Sequence, residues 1–198
     1  MTTYRSNKRK CLVAFIFCVA IWLTACDNSH APKPFGYFRI NLPEKNYVEL
    51  EGDYPFTCMV PEYSQMISLY DTVAGVKWYD MEMNGLQATV HLSYHEMHLP
   101  LSQYIEDARK LAFNHMQKAS AINYSVVMKP NDKVYGLYID IEGNDAATPF
   151  QFYLTDSTDN FLRGALYFNH VPNNDSVAPI ISFIKEDIEV FVESFRWK

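Results

Sequence analysis

His91, His95 and His98, with Glu96 among them, are the side chains in this sequence whose types and spacing best suit chemistry. On a helix, offsets of four and seven would bring the three imidazoles to one face and make a zinc site. The alternation of apolar and polar residues around them predicts a strand instead. On that strand His91 and His95 share a face with Ser93, and His98 points away. His95-Glu96-Met97-His98 also falls one residue short of the H-E-x-x-H motif. The expectation is therefore no metal, with these three as the fallback ligand set. His115 lies in the apolar stripe of a predicted helix, where a hydrogen-bonded core histidine is the simpler reading than a catalyst.

Other chemistries find less material. There is no G-x-S-x-G elbow, no G-x-G-x-x-G and no Walker loop, and only seven glycines to build a phosphate cradle. Cys58 sits in a strand-like run beside Phe56 and Val60, which reads as buried and inert. Glu186, Asp187 and Glu189 read as the solvated face of a helix, which argues against general acid/base work there. A formal net charge of −6 argues against nucleic acid as a partner, since phosphate neutralisation needs clustered Lys and Arg.

The start of the chain reads as an address. Arg5, Lys8, Arg9 and Lys10 precede an apolar run of 13 residues, Cys11 to Leu23. A membrane-spanning helix takes about 20 residues, so this run fits the h-region of a signal peptide. It ends in Leu23-Thr24-Ala25-Cys26, which resembles the bacterial lipobox. Residues 1–25 are then a lipoprotein signal peptide, and the Cys26 thiol takes a diacylglycerol, with further acylation of the palmitate type at the new terminus. Losing 25 residues leaves 173 of 198, with 13 basic against 23 acidic residues and a net charge of −10. The four cysteines suggest two disulfides at first sight. Cys11 and Cys18 leave with the peptide and Cys26 is consumed by lipid, so Cys58 stays as one free thiol. Residues 26–36 form a polar, Pro-containing tether. The ten residues of it beyond Cys26 reach at most about 33–36 Å, which keeps the following domain, residues 37–198, close to its membrane.

Strands are predicted at Tyr47–Leu50 and Phe56–Val60. Asn84-Gly85 between two alternating runs predicts a two-residue hairpin that pairs Met83 with Leu86, Met81 with Ala88 and Tyr79 with Val90. Helical spacing predicts a helix over Leu101–Ala119, with Leu111 and His115 in its apolar stripe. Four runs at roughly ten-residue intervals, Asn123–Met128, Val134–Ile141, Pro149–Leu154 and Phe161–Phe168, predict an antiparallel meander. A last helix is predicted from about Val177 to Phe195, with Asp175 and Ser176 as cap candidates. The order predicts an α+β fold, an antiparallel β-sheet packed by helices. It is similar to the PsbP/Mog1-type α/β/α sandwich. Arg163 is a cation within an apolar strand and needs a partner, which Asp156 or Gln151 can supply. That pair either fixes a hairpin or forms a recognition spot. About 26 of the 30 aromatic residues remain in the mature chain, compatible with a contact surface or with a Tyr-rich sheet.

Several stretches together resemble the gliding-motility lipoprotein family GldD of the Bacteroidetes. They are Pro32 to Pro43 (PKPFGYFRINLP), His91-Leu92-Ser93-Tyr94, Tyr104 to Arg109 with His115, Gly143 to Ser157 (GNDAATPFQFYLTDS) and Asn160 to Phe168 (NFLRGALYF). The resemblance implies a non-enzymatic accessory lipoprotein of gliding motility and of the associated type IX secretion machinery. It implies envelope partners, a periplasm-facing position on a membrane, with the outer membrane slightly favoured over the inner, and no cofactor. Asp71-Thr72-Val73 and Asp175-Ser176-Val177 resemble the O-glycosylation motif of that phylum, which makes Thr72 and Ser176 modification candidates. Two other functions remain open: a lipid-anchored module for a small ligand or glycan, which needs a concave aromatic pocket, and a metal-dependent hydrolase on His91, His95 and His98.

Overall fold

The computed structural model describes residues 40–69, 75–113 and 118–198. Cys26 with its lipobox and tether, Thr72, His115, and residues 114–117 of the predicted first helix lie outside the described residues. Eleven strands form among the described residues. Three are short: β1 (Tyr47–Glu49), β2 (Phe56–Thr57) and β3 (Met59–Pro61). Then follow β4 (Gln65–Leu69), β5 (Val76–Met83), β6 (Ala88–Glu96), helix α1 (Leu101–Phe113), β7 (Ala121–Lys129), β8 (Val134–Glu142), β9 (Phe150–Thr155), β10 (Asn160–Phe168), helix α2 (Asn174–Ser194) and β11 (Arg196–Trp197). Seven strands form one antiparallel sheet in the order β4-β5-β6-β10-β9-β8-β7. β1 pairs with β3, and β11 returns to pair with β2. The predicted Phe56–Val60 strand is thus two pieces that serve different partners, separated at the buried Cys58. β4 carries no marked alternation and is an addition to the elements predicted.

One face of the sheet meets α2. Ile184, Ile188, Phe191 and Val192 on the helix and Met81, Met83, Val90, Leu92, Phe152, Leu154, Leu162 and Leu166 on the strands make one apolar cluster. Phe191 touches Phe56, Phe152 and Phe195 with ring centroids 5.8–6.1 Å apart. The opposite face meets α1. Ala108 and Ala112 are buried, and Ala112 packs with Ile139 and Ile141. Leu111, expected in that stripe, is instead 47% exposed. The result is an α+β fold with one helix on each face of an antiparallel sheet.

The β5–β6 hairpin keeps the predicted faces but not the predicted register. The pairs are Met83 with Ala88, Met81 with Val90 and Tyr79 with Leu92. The connection is a four-residue loop, a 3-10 turn over Asn84–Leu86 closed by Gln87 at φ 51 and ψ 41. Leu86 is only 6% exposed and joins the core, so its burial selects the longer loop. A slip of two residues leaves each side chain on its own face, because the strand period is two. The β7–β8 hairpin uses the same geometry, Pro130–Asp132 closed by Lys133 at φ 52 and ψ 41.

The core carries a pH consequence. Burial is the main cause that raises Tyr79 from 10.0 to about 12 and pushes Tyr47, Tyr63, Tyr138 and Cys58 higher still. These groups stay protonated in the fold and ionise in the unfolded chain, from about pH 9 for the thiol and 10 for the phenols. Their contribution is therefore complete below pH 9 and is lost as pH rises toward the folded-state values. Urea midpoints measured from pH 8 to 11 are expected to fall steadily above 9–10. A midpoint that stays level to pH 11 would count against burial of these groups.

Candidate functional site

Antiparallel register lines up one row of side chains across the α1 face. It runs Leu69, Trp78, Ser93, Arg163, Tyr153, Leu137, Val126 from edge to edge. The next row runs Asp80, His91, Ala165, Gln151, Ile139, Tyr124. The middle of this face is polar yet buried: Thr89, Ser93, Gln151 and Thr155 are all at most 6% exposed. The α1 end of the strip is closed by Tyr104, whose ring sits 5.5 Å from Phe161 and 5.7 Å from His95.

Arg163 stands at the centre of the strip, half-buried. Its Nη2 donates to Gln151 Oε1 at 2.5 Å. Burial draws the guanidinium below its ordinary pKa, and nearby Tyr167 offsets part of that. Among the described residues no carboxylate lies within ion-pair distance of it. Asp156, the other partner expected from sequence, does not reach it. That carboxylate closes its own turn, accepting the backbone N–H groups of Thr158, Asp159 and Asn160 at 2.9 Å each and the Asn160 side chain at 2.6 Å. Burial alone would raise the Asp156 pKa, and these hydrogen bonds outweigh it and bring it below the usual value. A carboxylate that completes an Asx turn in a tight loop has no oxygen to spare for a cation on the adjoining strand. The Gln151 Nε2 is buried without a partner among the described residues.

The histidines divide. His91 Nδ1 lies 2.6 Å from Asp80 Oδ1, and its ring faces Tyr167 at 5.4 Å. His95 is half-buried against Tyr104 and Phe161, and desolvation lowers its pKa. His98 lies beyond the end of β6, where its backbone N–H donates to Tyr104 Oη. Among the described residues no three His, Cys, Asp or Glu side chains come together as metal ligands.

A second polar centre was not visible as such in the sequence. Asp187 is fully buried on α2, not on its solvated face. Its carboxylate accepts from Tyr47 Oη at 2.7 Å and from Tyr63 Oη, and Lys45 Nζ lies 3.2 Å away. Lys45 also donates to the Phe183 carbonyl and pairs with Glu186. The cluster ties the segment before and after β1–β3 to the helix. Its signal was in the spacing: Asp187 falls three and four residues from Ile184 and Phe191, inside the apolar stripe.

A cleft of about 480 Å³ opens where α2 begins, lined by Asp140, Glu142, Asn144, Asp175 and Lys185 among others. None of its lining residues is aromatic, so it lacks the rings a glycan platform uses. The start of α2 is held from outside: Asn144 Oδ1 accepts the Asp175 N–H, and Asn174 Nδ2 donates to the Gly143 and Ala146 carbonyls. The helix begins at Asn174, ahead of both expected caps, and Ser176 is an exposed residue of its first turn.

Comparison with known proteins gives a family match over most of the chain. A family model described as "Gliding motility lipoprotein GldD" matches residues 27–197. Among solved structures, the chain is similar to the solution structure of cyanobacterial PsbP (CyanoP) from Synechocystis sp. PCC 6803. That likeness has 10% identity and a TM-score of 0.46, and it covers 84% of this chain and 100% of that one. No curated protein matches.

Proposed function

From the premise that the chain belongs to the gliding motility lipoprotein GldD family, we propose that it is a non-enzymatic assembly factor of the gliding and type IX secretion machinery. Membership makes it a lipoprotein of gliding motility, associated with the cell envelope. The finer reading is that Cys26 carries the lipid, acylated with palmitate-type chains, and that residues 26–36 tether a single domain, residues 37–198. The domain faces the periplasm, on the outer membrane rather than the inner. The observation that carries this is the family match running from the residue after Cys26 to the penultimate residue.

The non-enzymatic reading draws support from how the reactive side chains are used. His91 is held by Asp80, His95 is packed between rings, and Cys58 is buried. The Arg163–Gln151 pair serves as a structural brace or as a recognition spot for an envelope partner. Ser176, exposed on α2, and Thr72 remain the candidates for O-glycosylation.

A chromosomal deletion complemented with the wild-type chain or with Cys26→Ser tests the proposal. Colony spreading, secretion of type IX cargo and membrane fractionation are the readouts. The deletion is expected to stop spreading and to depress cargo secretion at least about ten-fold. Wild type restores both, and Cys26→Ser leaves the protein out of the outer-membrane fraction and restores neither. Normal secretion in the deletion strain, or full rescue by Cys26→Ser, overturns it.

A further inference from the structure

The sheet ends in an unusual edge. β7 is nine residues long and, among the described residues, pairs with β8 in unbroken register on one side only. Residues 121 to 128, Ala-Ile-Asn-Tyr-Ser-Val-Val-Met, contain no charge and no proline. Protein edges are ordinarily blunted by charged residues, proline or a bulge, because the free N–H and C=O groups otherwise recruit another strand. On the α1 face this edge presents an apolar row, Tyr124, Val126 and Met128, at 49%, 70% and 68% exposure.

The row is symmetric about Val126, and the free charges at its two ends are of opposite sign. At the turn end of the β7–β8 hairpin stands the exposed Lys133, while Lys129 is held within the chain by Asp132 and by carbonyls at the end of α2. At the other end of β8 stands the exposed Glu142, while Asp140 is paired with Lys185 of α2. Antiparallel addition of an identical strand about a two-fold axis at Val126 sets Tyr124 against Met128 and Val126 against itself. It also carries the lysine end of one copy to the carboxylate end of the other. A parallel arrangement would bring Glu142 to Glu142. The strip itself is neutral on a chain of net charge −6, so two copies meet there without like charges at the seam.

We propose that β7 is the self-association edge of this protein, joining two copies antiparallel into one continuous sheet across Val126. This goes beyond the assembly role proposed above and does not depend on it. In an antiparallel pair the facing Cα atoms are about 4.5–5.5 Å apart, within the span a disulfide bridges. The full lipidated chain, purified in detergent, is the test material. Light scattering is expected to give the mass of two chains. Val126→Cys is expected to form a covalent dimer under mild oxidation, because Cys58 is buried and contributes no reactive thiol. Val171→Cys, 84% exposed outside the strand, is expected to give none. Val126→Lys places two like charges at the axis and is expected to weaken dimerisation about ten-fold or more with an unchanged circular dichroism spectrum. A wild-type chain that stays monomeric at roughly tens of micromolar, or equal cross-linking at positions 126 and 171, overturns the proposal. So does pairing of β7 with a different protein's strand while the chain alone is monomeric.

Discussion

Gly164→Ala is expected to destabilise the protein by about 3 kcal/mol, near the upper end of what one added methyl does in a packed core. Gly164 sits mid-strand in β10, opposite Phe152 of β9 and Leu92 of β6. The Phe152 ring folds over it. A Cβ at position 164 would lie 2.2 Å from Phe152 Cε1 and 2.3 Å from Cζ. The ring has nowhere to go: Phe152 is 2% exposed and stands 6.0 Å from the Phe191 ring. Its displacement would push α2 from the sheet. For a chain of this size the loss corresponds to a fall in Tm of about 6–12 °C. Gly85→Ala is the control, since an added Cβ there meets nothing within 4 Å. It is expected to stay within about 0.5 kcal/mol of wild type. A Gly164→Ala loss below about 1 kcal/mol would mean that the ring does not rest on the glycine.

Asp187→Ala is expected to destabilise by a similar amount, about 3 kcal/mol, through a different cause. Removing one member of a buried charged network leaves its partners desolvated and unpaired, typically at about 3–5 kcal/mol. The Tyr47 and Tyr63 hydroxyls would both lose their acceptor. Lys45 retains Glu186 at 2.7 Å and is partly solvated, which holds the loss near the lower end. Asp187→Asn keeps an acceptor oxygen and is expected to recover part of the stability. Tyr63→Phe removes one hydrogen bond, about 1 kcal/mol, and in combination with Asp187→Ala it should add little. Chemical denaturation of the four chains checks this, and full additivity of the two substitutions would show that Tyr63 and Asp187 do not act together.

The chain's local chemistry was readable where one period decided everything. Alternation placed Met81, Met83 and Val90 on one face and Asp80, Glu82 and His91 on the other, and the structure keeps that division. The hairpin register was not readable, because Asn84-Gly85 offers a tight turn on its own terms, while Leu86 gains more by entering the core. β4 was not readable either: Gln65–Leu69 has a partner only because β5 is already in the sheet. Arg163 shows the same boundary. Its need for a partner followed from a cation in an apolar strand, but the choice of Gln151 over Asp156 depended on the neighbouring turn having already engaged the Asp156 carboxylate.

By itself the sequence determined the α+β class and the family signature over residues 27–197, and it raised the expectation of a signal peptide with Cys26 as the anchoring residue. Those are properties of contiguous segments, where hydropathy, spacing and residue type act within one or two turns of chain. The tertiary structure decided the burial of Asp187 among Tyr47, Tyr63 and Lys45, the tight seat of Phe152 on Gly164, and the exposed neutral edge of β7. Each depends on residues far apart in the chain meeting at ångström distances, and desolvation and steric contact act only once those neighbours are in place.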